Sequence, residues 1–191
     1  MRGRENLPAG AVLIAAKHQS AWDTIIFSVE LWDHVFVLKQ ELMRVPVFGL
    51  FLARAGHIPV DRQGGGKALK KMLAAAREAA ALGRPIVIFP EGTRVAPGEH
   101  RPYQPGVAAL YGQLGLPVVP VALNSGLYWR RRGFLKRPGT ITLEYLPPIP
   151  PGLPRREFIG RLEAAIEARS RALAGPPPAD SPAQSKTLTS E

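Results

Sequence analysis

Pro85-Ile86-Val87-Ile88-Phe89-Pro90-Glu91-Gly92-Thr93-Arg94 joins a short apolar run to a polar turn, and that junction points to one architecture. Its apolar run, closed by proline on either side, is too short for a helix and reads as a strand buried on both faces. The polar turn behind it sits where α/β sheets present their ligand-binding loops, just past the end of a strand. Upstream, residues 67–82 read as a helix, with Leu69, Met72, Leu73 and Ala76 on one face and Gly83 as its stop. A helix delivering the chain into a short apolar strand is the repeating unit of a layered α/β domain.

The alternation continues outward. Toward the N-terminus, residues 12–16 and 35–38 are strand candidates, with a helix starting near Ser20 and running through Ile25, Ile26 and Val29. Residues 42–55 are almost wholly apolar but interrupted by Pro46 and Gly49, and read as a buried or interfacial segment. Residues 58–60 are extended, and Gly64-Gly65-Gly66 reads as a flexible hinge. Toward the C-terminus follow a helix over 107–114 closed by Gly115, strands over 117–123 and 140–145, and an amphipathic helix over 155–173. The expectation is a single α/β domain over residues 1–174, with a mixed or mostly parallel central sheet flanked by helices. Residues 175–191, rich in proline, read as a disordered tail.

Composition narrows the chemistry. Cysteine is absent, which excludes disulfides, thiolate-held metals and a sulfur nucleophile. The four histidines are scattered without ligand spacing, so no metal site is expected. The formal net charge of +10 favours anionic partners. The densest basic run, Arg130-Arg131-Arg132 with Lys136 and Arg137, follows Tyr128-Trp129, a pairing that suits a membrane interface at least as well as a nucleic-acid groove. No apolar stretch reaches the ~18 residues of a transmembrane helix.

Four constellations carry chemistry. His18 and Asp23 flank a strand-to-helix turn, where a carboxylate on one imidazole nitrogen leaves the other free to take a proton from a hydroxyl. In Phe89-Pro90-Glu91-Gly92-Thr93-Arg94, Glu91 can accept from substrate hydroxyls, Gly92 admits close backbone approach, and Arg94 offers a fork for phosphate. In Gly56-His57-Ile58-Pro59-Val60-Asp61-Arg62, Arg62 is a natural phosphate ligand that Asp61 could orient, while His57 reads as structural. Around Pro117 and Pro120, an apolar strand suits a sheet edge or the wall of an apolar cleft.

In this order and spacing the four blocks closely resemble the 1-acylglycerol-3-phosphate acyltransferase family, over roughly residues 6–146. The resemblance implies His18 as general base with Asp23 as its partner. It places Arg62 and Arg94 on the acceptor's phosphate, Glu91 and Gly92 near its glycerol, Thr93 among the substrate-binding residues, and Pro120 at the acyl cleft. It further implies transfer of a fatty acyl group from acyl-carrier protein or acyl-CoA to lysophosphatidic acid, giving phosphatidic acid in phospholipid biosynthesis, with no cofactor beyond the co-substrate. With no cysteine to carry the acyl group, transfer is direct or passes through a serine or threonine ester; direct attack by the acceptor hydroxyl needs no acyl-enzyme, and backbone amides near the start of the Asp23 helix could stabilise the oxyanion.

Two departures stand out. Lys17 occupies the place where the family has asparagine. The first block begins almost at once, whereas family members carry an apolar N-terminal anchor. Peripheral attachment to an anionic membrane surface, on the cytoplasmic face of the inner membrane, is therefore expected through residues 42–55 and the basic surface, or through apolar residues encoded upstream of Met1. Two rival readings remain: another glycerolipid acyltransferase or thioesterase using the same pair, and a basic nucleic-acid-binding protein. The latter has charge alone in its favour, with no recognisable binding motif.

Overall fold

The computed structural model describes residues 1–131 and 135–175; Arg132, and the expected tail beyond Gly175, lie outside the described residues. Six strands form one sheet: β1 (Leu13–Ala16), β2 (Val35–Lys39), β3 (Ile58–Val60), β4 (Ile86–Ile88), β5 (Val118–Leu123) and β6 (Leu143–Tyr145). Their spatial order is β3-β2-β4-β1-β5-β6, parallel throughout except for the antiparallel β6. The sheet is therefore mixed and mostly parallel.

Successive side chains on a strand point to opposite faces, so strands covered on both sides are apolar at every position. Leu13, Ala15, Ile86, Ile88 and Val118 face one core, which is filled by three helices: α3 (Gly65–Ala81), α4 (Pro105–Leu114) and α6 (Arg155–Ala174), the one-turn α5 (Ser125–Tyr128) lying between the last two in the chain. Met72, Ala76, Leu110, Phe158, Leu162 and Ile166 are their contributions. Ile14, Ala16, Val87, Val119, Val121 and Leu123 face the opposite core, which meets Phe27 of α1 (Trp22–Glu30). Both margins of the sheet are distinctive. β3 carries Pro59 within three residues, and Arg2 bridges to the outer side of β6, its amide donating to Leu143 and its carbonyl accepting from Tyr145.

Several expectations are corrected. The glycine triplet is no hinge: Gly64 caps α3 and Gly65-Gly66 are its first residues. At Gly64 a Cβ would stand 2.8 Å from the Ala68 methyl, so close approach fixes the residue there. Leu69 is exposed because the buried stripe of α3 runs through Met72, Ala76 and Ala79. The last strand begins only at Leu143.

Residues 42–55 are not buried. A 3₁₀ turn (Gln40–Arg44) and α2 (Phe48–Arg54) tuck Gly49 and Leu52 inward and leave Leu42, Val45, Val47, Phe48, Leu50 and Phe51 in solvent. Pro120 lies inside the sheet and not at its edge. The segment facing it carries Pro147-Pro148 between backbone bonds at Leu146 and Ile149, so the missing amide hydrogen interrupts no ladder.

Candidate active site

Strand register assembles the site. Ala15 of β1 is level with Ile88 of β4 and Pro120 of β5, so β1 and β4 end within a residue of each other and β5 runs on to Leu123 beside them. The residues just past those ends are His18, Glu91 and Ser125, and the structure brings all three into one hydrogen-bonded group. This is the carboxyl end of a parallel sheet, where such folds place ligands.

Asp23, fully buried in the first turn of α1, is the hub. Its Oδ2 accepts the Gln19 amide at 2.7 Å and the Ser20 amide at 2.8 Å, and lies 3.0 Å from His18 Nδ1. Its Oδ1 accepts from the Ser20 and Ser125 hydroxyls. With the carboxylate facing Nδ1, the tautomer it selects carries the proton on Nδ1 and leaves the Nε2 lone pair free. The imidazole stacks on Phe89, with centroids 3.9 Å apart and planes 18° from parallel, which fixes the ring's plane as well as its tautomer. The Gln19 and Ser20 amides, in the turn before α1, are engaged by Asp23, and the Trp22 amide that opens the helix donates to the Ser20 hydroxyl at 3.2 Å.

Glu91 departs from its expected role. It turns inward, its side chain wholly buried, and Oε2 accepts the His18 backbone amide at 3.0 Å. Lys17 Nζ lies 2.5 Å from Glu91 Oε1 and 2.8 Å from Glu167 Oε1 of α6, and Tyr103 donates to Glu167 at 3.1 Å. A buried carboxylate therefore holds His18 from behind and has no face for a substrate hydroxyl. Burial raises the Glu91 carboxyl above the ordinary carboxylate range, while Lys17 and the His18 amide pull it back down. Lys17 is thus a buried charge shared between two carboxylates.

Gly92 adopts φ +68°, and a Cβ there would approach Gln104 to 3.1 Å and the Arg62 guanidinium to 3.3 Å. Arg62 donates to the Gly92 carbonyl. Asp61 does not orient it; the Asp61 carboxylate accepts the Gln63 amide at 2.9 Å and shapes the turn. Thr93 is half-buried beside them. Val95 donates to the His18 carbonyl at 2.8 Å, closing the loop onto β1. Arg94 lines a cavity of about 860 Å³ together with Gln19, and among the described residues its side chain shares no hydrogen-bond partner with that of Arg62.

Pro120 is not brought to this group. It borders a shallow apolar depression against Leu146, Ala165 and Ala172, on the α6 side of the sheet, whereas the His18 ring lies on the other face with Phe89 and Phe27. His57 is structural, as expected: its Nδ1 accepts the Phe36 amide at 3.1 Å. Among the described residues, no group of His, Asp and Glu has an arrangement that could hold a metal ion.

A family model described as Acyltransferase matches residues 1–124. A 1-acyl-sn-glycerol-3-phosphate acyltransferase of Pseudomonas aeruginosa is 42% identical over 141 residues, which are 74% of this chain and 55% of that protein. One from Limnanthes alba is 38% identical over 154 residues, covering 78% of this chain and 53% of that protein. The chain spans about half the length of these curated relatives. Among solved structures, the 1-acyl-sn-glycerophosphate acyltransferase of Thermotoga maritima superposes with a TM-score of 0.74 at 20% identity, covering 93% of this chain and 72% of that one. At that identity the likeness speaks for the fold.

Proposed function

The chain belongs to the acyltransferase family, and from that premise we propose that it esterifies the free hydroxyl of 1-acylglycerol-3-phosphate with a fatty acyl group from a thioester, giving phosphatidic acid. The observation that carries the reading is the His18–Asp23 pair: Nδ1 held at 3.0 Å by a buried, donor-saturated carboxylate, with the ring clamped on Phe89. His18 Nε2 takes the proton of the acceptor hydroxyl as its oxygen attacks the thioester carbonyl. The tetrahedral intermediate then collapses, expelling thiolate, which leaves as thiol once His18 returns the proton.

Arg62 and Arg94, on either side of the Gly92–Thr93 turn, bind the acceptor's phosphate and so hold its hydroxyl within reach of His18. The names of the relatives support this acceptor. Attachment to an anionic membrane, on the cytoplasmic face of the inner membrane, is part of the same proposal. It is supported by the solvent-exposed apolar side chains of α2 and its preceding turn, with Lys39, Arg44 and Arg54 beside them. No helix among the described residues is long and apolar enough to cross a membrane.

The test is an assay with purified protein, lysophosphatidic acid and either acyl-carrier protein or acyl-CoA as donor, with and without anionic vesicles. Transfer should occur, and His18→Ala should abolish it while the protein stays folded by circular dichroism. A His18→Ala enzyme of near-normal turnover would remove the mechanism, and fatty acid release that needs no acceptor would replace transfer with hydrolysis.

A further inference from the structure

Along β1 the side chains alternate between the two cores, Leu13 and Ala15 facing one and Ile14 and Ala16 the other. The alternation runs on past the end of the strand, where the Lys17 amide still donates to Val121 of β5 at 2.9 Å. Lys17 reaches the α6 side, and there Glu167 holds its ammonium with both oxygens, at 2.8 and 2.9 Å. The next residue, His18, lays its ring on Phe89 on the opposite face. A segment pinned by consecutive side chains on opposite faces cannot roll about its own axis, and that roll is the motion that would swing the imidazole off its aim.

Glu91 ties the two residues together. One of its carboxylate oxygens lies 2.5 Å from Lys17 Nζ, and the other accepts the His18 amide at 3.0 Å. Lys17, Glu91 and Glu167 are all buried, so none of the three owes its place to solvent. Stability alone does not call for Glu167. One ammonium neutralises one carboxylate, and Lys17 already has Glu91; a second buried carboxylate adds desolvation cost and repulsion. Burial first raises the Glu91 carboxyl, and the Glu167 charge pushes the same way. Glu167 is nonetheless secured where it is by a further donor, the Tyr103 hydroxyl at 3.1 Å.

We propose that Glu167 is a positioning residue for the transfer reaction: from α6 it grips Lys17 on one face of the sheet and so fixes the strand end that presents His18 on the other. Its effect passes through Lys17 and Glu91, at a remove of two side chains from the imidazole. A misplacement of about 1 Å, even one caused far from the chemistry, can cost about a hundredfold in rate, so a loosened grip shows in kcat. The inference rests on the acyl-transfer reading above and adds the C-terminal helix to its machinery.

The test is Glu167→Gln, which keeps the shape of the side chain, removes its charge and replaces one oxygen by an amide group that cannot accept from Lys17. With a surplus buried charge gone, the variant should resist urea at least as well as the wild type. Its kcat for acyl transfer to lysophosphatidic acid should nonetheless fall about tenfold, with the KM for acceptor and thioester unmoved. The His18 backbone-amide and ring resonances, followed in isotope-labelled protein without substrate, should move. A kcat equal to that of the wild type, or His18 resonances left in place, would overturn the proposal. So would a loss of activity matched by a loss of stability, the mark of a residue that merely holds the fold, or a change confined to KM. His18 resonances that respond to the variant, while neither protein transfers an acyl group, would keep the link from Glu167 to His18 and sink the acyl-transfer reading, so the two fail separately.

Discussion

At position 17 a single side chain decides what its neighbours can be. Lys17 is 2% exposed and shared by Glu91 and Glu167, so removing its charge leaves two buried carboxylates facing each other. Lys17→Met is expected to cost about 3–5 kcal/mol, and Glu167→Gln on top of it should restore a substantial part, a coupling that a double-mutant cycle in urea reads directly. Additive effects would dissolve the network. On the other side of the loop, Arg62→Ala should raise the KM for the phosphate-bearing acceptor about tenfold or more and move kcat less; an unchanged KM would take Arg62 off the phosphate. The His18–Asp23 pair was legible in the sequence because its members are five residues apart across one turn. Ser125 reaches Asp23 from 102 residues away and Glu167 reaches Lys17 from 150, and no local spacing betrays such partners. Glu91 was misassigned for the same reason: its buried orientation depends on a lysine and a helix that lie far off in the chain.

Among the elements, short strands and long helices were readable because their apolar patterns state which faces are covered. The segment that became α2 was not, since an apolar run says nothing of whether protein or solvent will meet it. Only Gly49 and Leu52 of α2 are buried, and Phe48 and Phe51 stand 49% and 66% exposed. If that face meets lipid, Phe48→Ser/Phe51→Ser should reduce sedimentation with anionic vesicles several-fold while leaving the unfolding free energy in urea within about 0.5 kcal/mol of wild type, as exposed positions allow. Undiminished vesicle binding would move the membrane contact elsewhere. Pro120 was misread at this scale too: prolines usually mark sheet margins, and here the partner segment's own Pro147-Pro148 lets one sit within the sheet.

The molecule as a whole should lose stability in mild acid. His57 is held down to about 4, first by burial and then by the charges of His34 and Arg84, and its Nδ1 must stay unprotonated to accept the Phe36 amide. His34 is lowered as well, again by burial first. A histidine depressed in the folded state takes up its proton more readily when unfolded, so its contribution is complete above pH ~6.5 and is lost as pH falls toward about 4. For the half-buried His57 this amounts to about 2 kcal/mol once solvent screening is allowed for. Glu91 acts in the opposite sense: its raised carboxyl favours the folded state most at low pH, and that contribution declines as pH rises past the ordinary carboxylate range. Urea midpoints between pH 7 and 4 should fall, with His57 ring resonances titrating near 4; titration near 6.5 would refute the assignment.

The two margins of the sheet carry one further consequence. An open strand edge is a template on which a second chain can build, the first step toward amyloid-like stacking. Here one margin is three residues long and interrupted by Pro59, which has no amide hydrogen to offer, and the other is already bridged by Arg2. Copies of this chain brought close together therefore find no ready rung to climb.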